Sequence, residues 1–295
     1  MNCYLSTSCY GNTMLKSAIE LCKEISPKHI EISAPHHYQS INELKEVFEF
    51  YKKQEINFTL HNYFPPPEKS FVLNIASDKE EVLKSSKKLI EGALELCISS
   101  GSKIYGIHPG YLYRGAKANE EGMFVWENQS ELSYDRALKQ SVKIVNNYYQ
   151  LFDRQNINFI LENLFPSPKR KTSLFCSLEE IDEFLSYVPS DIGLLLDLGH
   201  LKISSNLYGF DLDDFLDKYL SKYGSKLYEI HISENNGIKD QHLPVKKDSW
   251  QLPVLDRIKS IKLDNGQERI YCLESRRANK TELIESLNLI EEAIS

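Results

Sequence analysis

Short apolar runs alternate with longer amphipathic ones from end to end of this chain. The apolar runs read as strands at Asn2–Ser6, His29–Ser33, Asn57–His61, Lys103–His108, Asn158–Glu162, Ile192–Asp197, Lys226–Ile232 and Arg269–Glu274. Between them, helical spacing predicts helices near Thr13–Ile25, Ile41–Gln54, Asp78–Ser100, Leu132–Arg154, Leu178–Tyr187, Leu212–Lys222, Val254–Ile261 and Thr281–Ala293. Within Asp78–Ser100, for example, Val82, Leu83, Leu89, Ile90, Ala93, Leu94 and Cys97 mark one apolar face. Phe159-Ile160-Leu161 and Leu194-Leu195-Leu196 are apolar without alternation, the pattern of strands covered on both faces.

Eight β–α units therefore follow one another, and no Pro/Gly/Ser-rich linker divides them. The expected fold is α/β: a single (β/α)8 TIM barrel occupying residues 1–295 as one domain. The long loops Asn62–Ser77, Pro109–Glu131, Leu164–Ser177 and Ser233–Leu252 all follow strand C-termini, so they should crowd over one face.

That face collects unusual residues. His61, His108, Glu162, Asp197, His231 and Glu274 stand at or just past strand ends, with His200, Asp240 and His242 in the turns that follow. Charged side chains are seldom fully buried unless paired or metal-bound. Nine imidazole and carboxylate groups converging at one barrel mouth would suit one to three divalent ions (Mn, Zn, Mg or Co). Taken singly, the motifs have plainer readings. Asp197 is a natural N-cap with Gly199 allowing a tight turn, a strand-end His is often structural, and a mouth Glu can pair with Arg276 or Lys171. Glu31, His36 and His37 are read as structural or substrate-contacting, and His29 belongs to the opposite face.

Composition narrows the partners. The chain is 41% hydrophobic and 26% charged, with a net charge of −7, so no global basic field points to nucleic acid. A local basic groove would have to come from Arg114, Lys117, Lys169, Arg170, Lys171, Arg276 and Arg277. Six cysteines without a CxxC pair fit buried structural thiols in a reducing cytoplasm rather than a disulfide framework. No signal-peptide pattern or membrane-length apolar run is seen. There is no phosphate-cradling glycine loop, dinucleotide fingerprint or nucleophile elbow.

The order and spacing of Leu60-His61-Asn62-Tyr63, Ile107-His108-Pro109-Gly110, Leu161-Glu162-Asn163, Leu196-Asp197-Leu198-Gly199-His200, His231-Ile232-Ser233-Glu234-Asn235, Asp240-Gln241-His242-Leu243-Pro244 and Leu273-Glu274 resemble the xylose isomerase-like TIM-barrel superfamily. That group holds sugar isomerases and epimerases as well as endonuclease IV-type AP endonucleases. In the epimerase branch the resemblance implies one ion on Glu162, Asp197, His231 and Glu274, with Glu162 and Glu274 exchanging protons and His200 contacting substrate. In the nuclease branch it implies three zinc ions. His61 and His108 would hold the first, with Glu162 bridging to a second on Asp197, His231 and Glu274. His200, Asp240 and His242 would hold the third.

All nine positions of the nuclease pattern are filled, which suits that branch. Several departures favour the epimerase branch, among them a short stretch between His231 and Asp240 and an Asn62–Pro67 loop unlike a DNA-inserting element. Gln241 stands where the nuclease pattern has an Arg, and Leu243-Pro244-Val245-Lys246-Lys247 replaces its glycine-bearing loop. The expected activity is thus a divalent-metal-dependent isomerase or epimerase of a sugar or sugar derivative. Two glutamates would move the proton through an enediolate. Tyr63, Phe64, Tyr111, Tyr113, Phe165 and Trp250 offer rings to close over a small sugar or sugar phosphate. Tyr63 and Arg276 join His200 as candidate substrate contacts. The alternative is a zinc phosphodiesterase acting on abasic DNA, and a third reading is a metal-binding barrel without catalysis. No membrane partner is expected, and a homo-oligomer is compatible with the composition.

Overall fold

The computed structural model describes residues 3–118, 124–126, 131–168 and 170–295. Its centre is a closed barrel of eight parallel strands. These are β1 (Cys3–Ser6), β2 (His29–Ile32), β3 (Asn57–His61), β4 (Ile104–Ile107), β5 (Asn158–Glu162), β6 (Gly193–Asp197), β7 (Leu227–Ile232) and β8 (Ile270–Leu273). Each pairs with its sequence neighbours, and β8 closes on β1. The helices are α1 (Leu15–Lys23), α2 (Ile41–Tyr51), α3 (Glu80–Ser100), α4 (Tyr134–Asp153), α5 (Leu178–Leu185), α6 (Leu198–Tyr208), α7 (Leu212–Tyr223), α8 (Gln251–Lys259) and α9 (Lys280–Ile294). No helix among the described residues is long and apolar enough to cross a membrane.

Three elements depart from the expectation. The run after Asp197 is not a tight turn but helix α6, which sequence periodicity misses because Leu198, Gly199, His200, Leu201, Ile203, Ser204 and Ser205 are all buried. A helix buried on most sides carries little amphipathic signal. The loop after β4 contains a two-stranded hairpin, Ala116–Ala118 against Phe124–Trp126. The helix expected at Val254–Ile261 begins earlier, at Gln251.

Alternation along each strand divides the core in two. Leu5, Ile30, Ile32, Leu60, Tyr105, Leu161, Leu194, Leu196, Ile230 and Leu273 pack into one large cluster with the helices. Tyr4, Ile104, Ile160, Leu195, Ile270 and Cys272 form a separate interior cluster. On β5 to β8 the next inward position toward the rim carries a ligand-type side chain. Ile160 leads to Glu162, Leu195 to Asp197, Glu229 to His231 and Cys272 to Glu274. A bulge sets one of these alignments. Leu194 opposes Leu227 but Leu195 opposes Glu229, so Tyr228 is an extra residue and Asp197 comes to face His231. Without the bulge it would face outward-pointing Ile230.

Candidate metal centre

All nine ligand-type residues gather at the C-terminal mouth of the barrel. His61 Nε2 and His108 Nε2 approach Glu162 Oε2 at 3.2 and 2.9 Å. Asp197, His231 and Glu274 form a group whose donor atoms lie within 4.8 Å of one another, as do Glu162, Asp197 and His200. His231 Nδ1 is 3.5 Å from Glu274 Oε2 and 4.0 Å from Asp197 Oδ2. Asp240 Oδ2 lies 2.7 Å from His242 Nε2 and 3.5 Å from His200 Nε2. Asp197 thus links two of these groups, and Glu162 reaches the His61/His108 pair.

The surrounding contacts fix how the rings present themselves. His200 Nδ1 donates to the Asn163 carbonyl at 2.9 Å, and His242 Nδ1 donates to the Glu274 carbonyl at 3.1 Å. A carbonyl only accepts, so Nδ1 carries a hydrogen in each ring and Nε2 is the atom turned toward Asp240. His108 Nδ1 pairs with the Tyr111 hydroxyl at 2.6 Å, leaving Nε2 for Glu162. His231 Nε2 donates to Glu31 Oε2 at 2.7 Å, so Nδ1 faces Asp197 and Glu274. Such outer partners are the usual means by which proteins orient metal-binding imidazoles.

Asn163 adds a second brace. Its side-chain oxygen accepts the Asp197 N–H at 2.7 Å and its amide donates to the Asp197 carbonyl at 3.0 Å, tying β5 to β6 at the rim. Glycines make room. A Cβ on Gly106 would sit 2.8 Å from His61 Nδ1. Gly199 lies inside α6 and is needed for closeness, not for a turn: a Cβ there would approach the Asn235 amide to 3.0 Å and Asp197 Oδ1 to 3.1 Å.

Charge balance distinguishes the acids. Burial pushes the Glu162 carboxyl up, but the facing His108 and His61 rings outweigh it and hold the group well below the ordinary range. Glu274 is also buried, and Arg276 and His242 hold it well below that range. Asp197 is pushed up to about 6, by burial first, with Glu162 and Asp240 adding to the rise against His200. Asp240 is lowered, because His242 and His200 overcome its burial.

The arrangement fits divalent metal. Glu162 Oε2, His231 Nδ1 and Asp240 Oδ1 are buried and lack a well-aligned hydrogen-bond partner among the described residues. Carboxylate oxygens interleaved with imidazole nitrogens match zinc, manganese or cobalt, and less well magnesium, which favours all-oxygen sites.

The other candidates fall into place around this cluster. Tyr63 packs edge-on to His108, with centroids 5.6 Å apart, and its hydroxyl lies 3.3 Å from that of Tyr111. Phe165 lies against His200 with a centroid distance of 4.7 Å. Arg276 pairs with Glu274 Oε1, which also accepts from Ser8 Oγ at 3.0 Å. His29 opens β2 beside Tyr4, at the far end of the barrel. Three further cations of the candidate basic groove are paired with acids. Arg114 pairs with Asp78, Arg170 with Glu131 and Lys171 with Glu180. Lys169 and the side chain of Lys117 lie outside the described residues. Sequence reasoning undervalued Glu31, whose signal was a charged residue inside an otherwise apolar strand, and did not single out Glu229 or Ser8.

The closed parallel strands and their covering helices define a (β/α)8 barrel protein. The chain belongs to the xylose isomerase-like TIM barrel family, whose model matches residues 17–293. An uncharacterised protein of Methanocaldococcus jannaschii is 24% identical over 261 residues, which span 87% of this chain and 76% of that protein. A probable endonuclease 4 of Thermosipho melanesiensis is 25% identical over 214 residues, 68% of this chain and 66% of that protein. A solved D-tagatose 3-epimerase-like protein shares the fold with a TM-score of 0.75 at 22% identity, covering 100% of this chain and 97% of that one.

Proposed function

We propose that the chain, as one domain over residues 1–295, is a divalent-metal-dependent isomerase or epimerase of a sugar or sugar derivative. One observation carries this reading: two buried carboxylates, Glu162 and Glu274, bracket Asp197 and His231 at the ends of the consecutive strands β5 to β8. A divalent ion held by these four residues would supply Lewis acidity toward a substrate carbonyl and its neighbouring hydroxyl. One glutamate would take the carbon-bound proton and the other return one, on the opposite face or at the adjoining carbon. Arg276 and Ser8 steady Glu274 through Oε1. His61 and His108 steady Glu162 through Oε2. Tyr63 and Phe165, packed against His108 and His200, supply an aromatic wall for a sugar ring. The sugar epimerase-like fold neighbour supports the same class.

A second reading, phosphodiester hydrolysis at abasic DNA, draws on the convergence of His61, His108, His200, Asp240 and His242 and on the endonuclease relative. The pairing of Arg114, Arg170 and Lys171 with acids weighs against it, since DNA binding rests on cations free to meet phosphates. Gln241, where an Arg would be expected, instead accepts the Asn236 N–H at 2.9 Å within its own loop.

The test is incubation of the manganese- or zinc-loaded protein with free and phosphorylated aldoses and ketoses in deuterated water. Deuterium entering a substrate carbon is the expected outcome. Cleavage of an abasic-site duplex without any sugar exchange would transfer the assignment to the hydrolase.

A further inference from the structure

Beneath the rim, the barrel interior holds a second group of ligand-type side chains, of which the proposed reaction uses only His231, through Nδ1. Glu31 on β2, Glu229 and His231 on β7, and Cys272 on β8 are each 0% exposed, and each offers a donor atom within 4.8 Å of the others. Three of the four carboxylate oxygens, Glu31 Oε1 and both of Glu229, have no hydrogen-bond partner among the described residues. Among the described residues, the ion pairs that reach these two acids come from His231, at 2.7 Å for Glu31 and 4.0 Å for Glu229. Protein interiors rarely leave buried carboxylate oxygens without hydrogen bonds or a cation. Ser6 and Thr59, the register partners of Glu31, carry hydroxyls but form no hydrogen bond to these three oxygens, and the interior residues Ile160 and Leu195 are apolar.

We propose that Glu31, Glu229, Cys272 and Nε2 of His231 form a second, interior cation site for a divalent ion of the zinc class. Sulfur, imidazole nitrogen and two carboxylate oxygens make a four-donor set characteristic of that ion. On binding, the proton between His231 Nε2 and Glu31 Oε2 and the thiol proton of Cys272 leave to solvent, and the ion takes their place. His231 keeps Nδ1 toward Asp197 and Glu274, so its ring joins the interior site to the rim, bridging as an imidazolate when a rim ion is bound and keeping its remaining proton on Nδ1 when none is. Because no ligand is exposed, the ion enters as the barrel folds rather than by exchange. The inference does not depend on which reaction the rim performs.

The experiment uses the full chain expressed in cobalt-supplemented medium, so that metal is present during folding. A near-ultraviolet thiolate-to-cobalt charge-transfer band is expected in the parent protein. It should vanish in Cys272→Ser while the visible cobalt bands of the rim persist. Glu229→Gln should lower the bound metal by about one ion per chain. Circular dichroism checks that both variants fold. If one does not, the parent spectrum still decides. A cobalt-loaded parent without the thiolate band, or a band surviving in Cys272→Ser, overturns the site. So does equal metal content in the parent and Glu229→Gln.

Discussion

Asp197 and His200 are joined through both oxygens of one carboxylate. Oδ1 accepts the His200 backbone N–H at 2.7 Å and caps helix α6, while Oδ2 stands 3.9 Å from His200 Nε2. The capping reading and the ligand reading of this residue are therefore both met, by different atoms. Asp197→Asn should preserve the cap and change metal-free stability by no more than about 1 kcal/mol. Metal affinity, measured by calorimetry, should drop by more than the roughly 10–100-fold typical of an outer partner. Asp197→Ala should lose both. Unaltered metal affinity in Asp197→Asn would remove Asp197 from the proposed ligand set.

Much of this was legible in the chain because the strands are short, apolar and separated by amphipathic helices. β3 and β5 begin and end at the expected residues, and every expected strand is present within about two residues of its anticipated ends. The cluster was legible because Glu162, Asp197, His231 and Glu274 interrupt or end apolar runs. What was hidden depends on three-dimensional register. Nothing local shows that Tyr228 is a bulge residue, that Gly106 leaves space for His61, or that Glu31 reaches His231 across the barrel interior. The helix α6 was hidden because its burial erases periodicity.

Gly106 tests that dependence on space. In Gly106→Ala the new methyl would lie 2.8 Å from His61 Nδ1 and 3.1 Å from a methyl of Leu195. The surrounding strands leave little room, so the His61 ring should rotate away from Glu162. We expect a loss of about 1–3 kcal/mol in stability from overpacking. His61 should also lose its coupling to Glu162, read as a shifted imidazole resonance in NMR titration. A chemical shift and melting point matching the parent would mean the ring does not need the cavity.

Glu162→Gln and Glu274→Gln probe the proton-transfer roles separately from folding. Each amide keeps a coordinating oxygen but cannot accept a carbon-bound proton. Turnover should fall by roughly 10²–10⁴-fold in either variant, with substrate binding partly retained. If the two carboxylates act on opposite sides of the substrate, one variant should keep washout of the substrate proton while losing product formation. Two variants with parental rates would end the two-glutamate mechanism.

His36 gives a pH signature away from the rim. It is 8% exposed, its Nε2 lies 3.0 Å from Thr7 Oγ1, and burial lowers its pKa to about 4. An unfolded histidine protonates near 6.5, so between about pH 6.5 and 4 the unfolded chain binds the extra proton. The stability that neutral His36 contributes is therefore fully present above pH 6.5 and is lost as the pH falls toward 4. The loss should reach at most about 3 kcal/mol. Denaturant unfolding of the parent and of His36→Asn, both in chelator, isolates this contribution from metal binding. The stability difference between the two should be flat above about pH 7 and should shift against the parent through the acidic range. A difference that stays constant from pH 7 to 4.5 would show that His36 accepts its proton in the folded barrel as readily as in the unfolded chain.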